Sequence, residues 1–458
     1  MSDVLVQVIR AVDVAALLYI IAVDTIYFVQ LISGYFGLKA YIKTCQYGDY
    51  RRFYNSENMI PISLIAPAYN EEAMIVDNVE SLLALEFPEY EIIVVNDGST
   101  DKTLETLIEK FDLIEAPEAF KKSLETKPVK RTFRSLQYPN LLVVDKENGG
   151  KADALNAGIN ASSYPVFVSI DADSILEKDS LIKIIMPFVK DSSVIGVGGI
   201  VRIANPDDIE GGRIERVTLM RNPLITLQVV EYLRAFLTGR MGFDNLDLLL
   251  IISGAFGAFK KDAVIEVGGY WSDTIGEDME LVIKLHKHFA PEERSYKIQF
   301  LSDPVCWTDA PGTLKEFLSQ RRRWHVGLMD SLFRHKDMVF NKDYGRIGMV
   351  ALPYYWMFEF FGPIIEVSGY FFVLLSWALG LINFEFVFIF FGIAICYGTI
   401  LSIGALILEE NTFKKYPSIK QLAVLVLYGF IDNLGYRQIN SLIKVWATLR
   451  YRKDRHAW

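Results

Sequence analysis

Apolar runs dominate both ends of the chain and flank a central region of mixed composition. The first run covers residues 12–38, and two more cover residues 364–382 and 386–408. A helix needs about 20 apolar residues to span a hydrocarbon core of about 30 Å. A soluble core helix could explain any one of these runs, but their combination predicts a membrane protein.

Basic residues around these runs predict the orientation of the chain, because cytoplasmic loops are enriched in lysine and arginine. They place residues 39–350 in the cytoplasm. The two later runs are then predicted to cross the membrane outward and back to the cytoplasm. A last apolar stretch, 420–431, is short, and the basic segment after it should stay inside. We therefore predict that 420–450 forms a re-entrant or interfacial helical pair. The cations that fix the first crossing are Lys39, Lys43, Arg51 and Arg52.

Between the membrane runs, residues 61–310 alternate short apolar segments with helical ones. This alternation predicts an α/β fold with a doubly wound, mostly parallel sheet covered by helices. Residues 113–139 are charged and lack periodicity, so we interpret them as a surface insertion. Polar residues follow each predicted strand, at the carboxyl edge where such sheets bind ligands. They are Asn70-Glu71, Asn96-Asp97-Gly98, Asn148-Gly149-Gly150-Lys151 and Asp171-Ala172-Asp173.

Composition and charge exclude several classes of protein. The 458 residues are 51% hydrophobic and carry a formal net charge of −9, which argues against a nucleic-acid-binding protein. No GxGxxG follows the first predicted strand and no Walker lysine motif occurs, so a dinucleotide site and a P-loop are excluded. The cysteines, Cys45, Cys306 and Cys396, lie far apart and offer neither a disulfide framework nor a zinc site.

The strand ends supply carboxylates and one lysine. Asp171 and Asp173 flank a single residue after a very apolar strand, so both can reach one cation in the turn. A hard ion such as Mg²⁺ or Mn²⁺ takes one or two carboxylates together with phosphate oxygens, whereas the alternative is that one aspartate caps the next helix. Lys151 opens a helix after two glycines, which suits an anion site, although an ordinary surface lysine is the alternative.

A second acidic pair, Glu277 and Asp278, precedes an amphipathic helix. Acidic residues at a helix start often cap free amides and offset the helix dipole. The functional alternative is a general base that takes a proton from an attacking sugar hydroxyl. His286 and His288 lie on different faces of the same helix, and we interpret them as surface or packing residues.

Seven short motifs follow one another along the chain: SLIAPAYNEE, VVNDGSTDKT, NGGKADALNAGI, DAD, SGAFG, GED and QRRRW. In this order they strongly resemble the family 2 membrane glycosyltransferases, the processive synthases of cellulose, chitin, hyaluronan and poly-N-acetylglucosamine. The similarity covers about residues 61–330. It implies that the soluble part has the GT-A fold, an α/β sheet that binds a sugar nucleotide.

The resemblance assigns the strand-end residues to the donor. Asp171 and Asp173 match the DxD motif, which binds the nucleotide and its Mg²⁺ or Mn²⁺. The uridine would be contacted by Tyr69, Glu71 and Asp97, and the pyrophosphate by Lys151.

The resemblance also places a base and an acceptor subsite. Asp278 matches the catalytic base of the family's TED motif, with Glu277 as its acidic neighbour. Gly276 stands where that motif has threonine. Ser253 and Gly254 of SGAFG would border the acceptor sugar.

The QRRRW stretch matches the QxxRW signature of the family through Gln320, Arg323 and Trp324. These three positions share one face of a helix. Arg323 would bind the diphosphate together with Gln320, and Trp324 would offer a flat stacking surface to the acceptor sugar. Arg321 and Arg322 point elsewhere, and we interpret them as a positive collar at the membrane surface.

The resemblance implies an inverting, processive glycosyltransferase that polymerises UDP-GlcNAc or UDP-glucose into a β-linked extracellular polysaccharide and translocates it. The SGAFG motif leans slightly toward UDP-GlcNAc. The implied partners are the UDP-sugar donor, the growing polysaccharide acceptor and the lipid bilayer, with room for accessory subunits and none for nucleic acid. One alternative is a transferase that adds a single sugar to a polyprenyl phosphate. The other is a non-catalytic membrane secretion component with a degenerate sugar-nucleotide domain.

The predicted organisation is that of a multi-pass protein of a bacterial inner (plasma) membrane with its catalytic domain in the cytoplasm. Asp24 and Glu366 lie in the apolar runs, where charged groups usually face a bundle interior, and they are expected to line a path for the polymer. The parts are a transmembrane helix in 1–42, the GT-A domain in 61–310, QxxRW and interfacial helices in 311–361, two transmembrane helices in 362–410, and re-entrant or interfacial helices with a basic tail in 411–458.

Overall fold

The computed structural model describes residues 3–47, 59–204, 209–210, 213–214, 217–292, 294–381, 384–413, 415–416 and 418–455. Arg51 and Arg52, which partly support the predicted orientation, lie outside these residues. Lys39 and Lys43 are exposed near the end of the first helix.

Twelve short segments of the described chain form strands, and ten of them join one sheet. The strands are β1 (Ile62–Ala68), β2 (Tyr90–Asn96), β3 (Leu113–Glu115), β4 (Val129–Ser135), β5 (Leu141–Lys146), β6 (Val166–Ile170), β7 (Ile175–Leu176), β8 (Val194–Ile203), β9 (Ile209–Glu210), β10 (Arg213–Ile214), β11 (Phe256–Lys260) and β12 (Lys297–Thr308).

The centre of the sheet is parallel. Its order there is β5-β2-β1-β6, and these are the four strands predicted from the apolar runs. Their side chains are buried on both faces, because helices cover the sheet on each side. The α/β class is therefore confirmed. Antiparallel pairs extend the centre on both sides, so the complete sheet is mixed rather than mostly parallel.

The interpretation of residues 113–139 as a surface insertion was wrong, because this segment supplies β3 and β4 at one edge of the sheet. The charged residues of β4 concealed its strand pattern. Arg131 pairs with Asp145 of β5 at 2.9 Å, and Arg134 pairs with Glu118. Charged, ion-paired side chains are common on an edge strand, where they also discourage pairing with other chains.

Helices flank the sheet and continue into the apolar regions. They are α1 (Asp3–Tyr47), α2 (Ile75–Leu83), α3 (Thr103–Lys110), α4 (Lys151–Ala161), α5 (Ser180–Lys190), α6 (Pro223–Leu233), α7 (Met241–Asp244), α8 (Lys261–Glu266), α9 (Glu277–Phe289), α10 (Leu314–Arg334), α11 (Leu352–Tyr354), α12 (Phe361–Ala378), α13 (Phe384–Thr412), α14 (Ile419–Ile431) and α15 (Arg437–Asp454).

Three of the described helical segments are long and apolar enough to cross a membrane: Val14–Lys43, Ile347–Ala378 and Val387–Thr412. They mark the chain as a membrane protein. The second segment runs through Pro363 and is helical on both sides of it. Because proline has no backbone N–H, this position cannot donate a hydrogen bond within the helix. Where the bilayer begins along this segment stays a prediction.

Residues 420–450 form the predicted helical pair, α14 and α15, with a break between them. Leu434 has non-helical backbone angles, and Gly435 has a φ of 116°, a conformation that glycine adopts without strain. The depth of this pair in the membrane, re-entrant or interfacial, stays a prediction.

Buried ion pairs tie the sheet and its helices to the apolar helices. Arg202 of β8 contacts Glu409 of α13 at 2.6 Å. Arg234, directly after α6, contacts Asp432 at the end of α14, also at 2.6 Å. These pairs hold the carboxyl edge of the sheet in a fixed position relative to the apolar helices.

Candidate active site

The first wall of the site is the loop after β1. Asn70 has a φ of 58°, and its side-chain oxygen accepts hydrogen bonds from the backbone N–H groups of Thr100 (2.8 Å) and Asp101 (3.3 Å). This tie connects the ends of β1 and β2. Beside it, the Tyr69 ring is about half exposed, with 49% of its area accessible, so it is free to contact a base.

Asp97, after β2, is buried and bound within the protein. Its carboxylate accepts from Lys146 Nζ at 2.5 Å and from the backbone N–H groups of Gly149 and Gly150 at 3.0 and 2.7 Å. Lys146 is fully buried and also pairs with Asp153 at 2.5 Å. Asp97 therefore shapes the glycine loop that precedes Lys151, and its contact with uridine stays a prediction.

Asp171 and Asp173 share the turn after β6 with an amide that sequence reasoning missed. Asn78 of α2 donates from Nδ2 to the carbonyl oxygen of Asp171 at 3.4 Å and to that of Ser174 at 2.9 Å. Ser174 Oγ donates to Asp173 at 3.2 Å. A buried asparagine on a helix gives no pattern that would identify this role from sequence.

Negative charge accumulates around this turn. Burial, and after it the charge of Asp171, raises the pKa of Asp173. Burial likewise raises the pKa of Glu71, with Asp173 as the next cause, so Glu71 of the first loop faces the same turn. Carboxylates crowded in this way hold each other's pKa up until a cation offsets them.

Lys151 is the cation that the described residues place at this turn. It forms ion pairs with Asp171 and, at 3.4 Å, with Glu277 at the start of α9. Burial alone would lower the pKa of Lys151, but the charges of Asp171, Glu277 and Asp278 raise it, so the lysine stays charged. Burial raises the pKa of Glu277 more than Lys151 lowers it. One lysine thus joins the two acidic pairs identified in the sequence.

Asp278 is held by backbone amides. Its Oδ2 accepts from Gly254 N at 3.2 Å and its Oδ1 from Met279 N at 2.8 Å. A Cβ at Gly254 would lie 3.0 Å from Lys151 Nζ and 3.6 Å from Asp278 Cβ, so the Ser253-Gly254 turn lies against both groups. The structure therefore brings the SGAFG and GED motifs and Lys151 together.

Gly276 has a structural reason to be a glycine. A Cβ at this position would come 2.8 Å from the carbonyl oxygen of Gly327 on α10, and a Cβ at Gly327 would come 2.9 Å from Gly276 Cα. The two backbones cross at van der Waals distance, which joins the loop of Glu277 and Asp278 to the QxxRW helix. Threonine at position 276 would separate them.

The three QxxRW residues lie on α10, which begins with a capping box between Thr313 and Glu316. Trp324 is 42% exposed, and its ring lies 6.3 Å from that of Tyr232 on α6. Arg323 is exposed and makes no hydrogen bond or ion pair with any residue that the structure describes. Gln320 Oε1 is buried without a hydrogen-bond partner among those same residues.

The interpretation of Arg321 and Arg322 as a positive collar was wrong. Arg321 is buried and makes two hydrogen bonds of 2.8 Å to Glu231, and its guanidinium lies 4.4 Å from the Trp324 ring. Arg322 lies over the Trp446 ring at 5.5 Å, on α15. Both arginines bind neighbouring helices because α6 and α15 pack on either side of α10, which the sequence alone did not indicate.

Tyr232 is a further site residue that sequence reasoning missed, since it reads as an ordinary aromatic on an apolar helix. Burial raises its pKa to about 12, and the charges that act on its hydroxyl include Arg321, Arg240 and Asp173. Its ring lies beside Trp324, and Asp173 of the DxD turn is among the charges that act on it.

Of the two histidines interpreted as surface or packing residues, His286 packs in the interior and the partly exposed His288 contacts Glu266. His286 is buried, with its ring nitrogens 2.8 Å from Tyr296 Oη and 2.8 Å from the carbonyl oxygen of Leu249. Burial lowers its pKa to about 4, so it is neutral at physiological pH. Cys306 is buried and Cys396 is exposed, and both are free thiols.

Comparison with known proteins decides the family. Residues 63–268 match the model of glycosyl transferase family 2, and residues 166–408, more than half of the chain, match that of glycosyl transferase family group 2. The chain belongs to the family 2 glycosyltransferases. It is therefore an enzyme that transfers glycosyl groups.

Two relatives of this family 2 glycosyltransferase are poly-beta-1,6-N-acetyl-D-glucosamine synthases. That of Staphylococcus epidermidis is 32% identical over 273 residues, which cover 60% of this chain and 56% of the relative. That of Staphylococcus aureus (strain COL) is 30% identical over 281 residues, covering 61% and 57%. The chain thus spans little more than half the length of these relatives.

A solved mannosyltransferase from Pyrobaculum calidifontis, in complex with GDP-Man and Mn²⁺, has a similar fold. Its TM-score is 0.50 at 18% sequence identity, and the match covers 96% of this chain and 99% of that one. The match confirms the GT-A fold class with its associated helices.

Proposed function

We propose that this glycosyltransferase is a polysaccharide synthase. It would transfer N-acetylglucosamine from UDP-GlcNAc, with inversion, to the end of a growing β-linked glycan and pass the glycan across the membrane. The observation that carries the proposal is the contact of Asp278 with the SGAFG turn, beside Lys151 and on the loop that crosses the QxxRW helix. The similarity to two poly-beta-1,6-N-acetyl-D-glucosamine synthases favours the sugar.

The residues present fit a divalent cation. Asp171, Asp173 and Glu71 offer carboxylate oxygens, the ligands that Mg²⁺ and Mn²⁺ prefer. Burial and, after it, the charges of neighbouring carboxylates raise the pKa values of Asp173 and Glu71, and such a cation would offset both effects. When bound, the ion would offset the charge of the diphosphate, which supports the proposed UDP-sugar.

The chain's own groups account for the transfer. Asp278 takes the proton of the acceptor hydroxyl, and that oxygen forms a bond to the anomeric carbon of the donor sugar. The bond from this carbon to the diphosphate breaks on the opposite face, and UDP leaves with the electron pair. Lys151 and the exposed Arg323 offset the charge of the departing UDP. Trp324 provides a flat surface for the acceptor sugar.

The apolar helices contain polar groups suited to a glycan path. Asp24 of α1 is buried, and neither of its carboxylate oxygens has a hydrogen-bond partner among the described residues. Glu366 of α12 accepts from Ser441 Oγ at 2.7 Å and pairs with Arg437 at 3.5 Å. Photo-crosslinkers at these positions should capture nascent glycan, and a complete lack of adducts would remove the path.

The test is UDP release by the purified protein in lipid nanodiscs, with UDP-GlcNAc and UDP-glucose separately and with Mg²⁺ or Mn²⁺. The product should be long and should be degraded by a glycosidase specific for its linkage. The Asp278→Asn variant is the matched control for contaminating hydrolysis. A single sugar on a lipid carrier would favour the polyprenyl-phosphate alternative, and absence of turnover with either donor would contradict the proposal.

A further inference from the structure

Arg240 ends the π-helical stretch Arg234–Arg240 that continues α6. Its guanidinium carbon lies 3.9 Å from the centre of the Phe236 ring. Its Nη1 is buried and has no hydrogen-bond partner among the residues that the structure describes. No motif in the sequence singles out this residue.

Other arginines buried in this region have carboxylates. Arg321 pairs with Glu231 at 2.8 Å, Arg234 with Asp432 at 2.6 Å and Arg202 with Glu409 at 2.6 Å. Within the described part of the chain, Arg240 has no such ion pair. A buried donor of a charged group costs stability when it stays unpaired, and a bound ligand is one way in which this cost is offset.

The surroundings of Arg240 are those of the acceptor side of the site. Burial lowers the pKa of its guanidinium, and the opposing influences are Asp278 first, then the hydroxyls of Tyr355 and Tyr232. Tyr232 is the residue whose ring lies beside Trp324. Tyr355 belongs to the apolar segment Ile347–Ala378. A row of rings leads from Arg240 to the exposed indole: Arg240 lies over Phe236, whose ring centre is 5.9 Å from that of Tyr232, and the Tyr232 ring is 6.3 Å from that of Trp324.

Asp278 does not accept a hydrogen bond from Arg240 Nη1. Its two oxygens accept from the backbone N–H groups of Gly254 and Met279, and no hydrogen bond to Arg240 joins them. The donor's diphosphate has its own cation in Lys151, which lies at the DxD turn. Neither Asp278 nor the diphosphate therefore accounts for Arg240 Nη1.

We propose that Arg240 is an acceptor-binding residue, whose Nη1 donates a hydrogen bond to an oxygen of the terminal sugar lying between Trp324 and Asp278. This inference rests on the proposed function, because it presumes a glycan acceptor. It assigns to one arginine the selection of the acceptor rather than of the donor.

The experiment measures binding and kinetics of the full chain in nanodiscs for Arg240→Gln and Arg240→Lys. The ligands are UDP with Mn²⁺ and a β-1,6-linked N-acetylglucosamine pentasaccharide. Arg240→Gln should weaken pentasaccharide binding and raise its KM at least about 10-fold, the loss expected for a hydrogen bond from a charged donor. UDP affinity should not change, and Arg240→Lys should recover part of the loss.

Melting temperature separates this role from a structural one. Arg240→Gln removes a buried donor that has no hydrogen-bond partner among the described residues, but it also removes the contact with the Phe236 ring, so the melting temperature should change little. The exposed Arg346, paired with Asp247 at 3.2 Å, supplies the control Arg346→Gln. This variant should change the affinity for neither UDP nor the pentasaccharide.

Four outcomes would overturn the inference. They are a lower melting temperature with both affinities intact, a loss confined to UDP, no change in any measurement, and a wild-type chain that does not bind the pentasaccharide. Failure of the proposed function is recognised separately, because it appears as no UDP release by the wild type even where the pentasaccharide binds.

Discussion

Two groups of carboxylates follow β2 and β6, the parallel strands on either side of β1, and they differ in how their charge is satisfied. Asp97 binds two glycine amides and the buried Lys146, which it shares with Asp153. Asp171 and Asp173 share one lysine with Glu277 and hold each other's charge in a crowded turn. The first arrangement is complete without a ligand, whereas the second is not. Satisfied charge therefore marks the framework of the site, and unsatisfied charge marks the place for a ligand.

The largest effect on stability is expected for Asp97, whose charge is satisfied within the protein. Asp97→Ala leaves Lys146 buried with only Asp153 and frees two glycine amides, so the free energy of unfolding should fall by about 3 kcal/mol. Thermal unfolding in detergent, without metal or nucleotide, measures this. Asp171→Ala is the matched control at the other strand end and should not lower the melting temperature. Equal losses in both variants would break the comparison.

Replacement of the proposed base, Asp278, should lower the rate of transfer rather than the stability of the protein. Asp278→Asn keeps an oxygen for a backbone amide but cannot take a proton, so turnover should fall at least about 100-fold while UDP binding is retained. Single-turnover sugar transfer and calorimetry with UDP measure the two quantities. Turnover near that of the wild type would refute the assignment of Asp278.

The glycine crossing should respond to a single methyl group. Gly276→Ala forces a Cβ against the Gly327 carbonyl, and overpacking of this kind costs about 1–3 kcal/mol. Because the crossing carries Glu277 and Asp278, turnover should fall with stability. Gly369→Ala, on a helix with no atom within 4 Å of the new Cβ, is the control and should be neutral. A fully active Gly276→Ala enzyme would show that the crossing does not position the base.

The smallest effect is expected for Asp173, in the crowded turn after β6. Asp173→Asn should weaken Mn²⁺-dependent UDP binding by about 10-fold without lowering the melting temperature of the ligand-free protein, because it removes a repelled charge. The raised pKa of Asp173 means that it gains its proton at a higher pH than an ordinary aspartate. UDP binding by the wild type should therefore weaken as the pH falls and approach that of the variant. Binding by the wild type that is independent of pH would contradict this role.

The sequence by itself determined the α/β class, the four central strands and the three apolar segments, because periodicity and buried apolar runs are local properties. It also predicted which motifs meet at the carboxyl edge, since parallel strands end on the same side. It could not reveal that β4 is a strand, because the arginines of β4 pair with carboxylates distant in the chain.

Only the tertiary structure decided which charged side chains are paired within the protein. Three successive arginines read alike in the sequence, yet Arg321 is bound to Glu231, Arg322 lies on Trp446, and Arg323 is exposed. The glycine in place of the family's threonine is explained by a helix 51 positions further along. Arg240 has no sequence signal at all. Whether a charged group is satisfied depends on neighbours brought by packing, and these lie far from it along the chain.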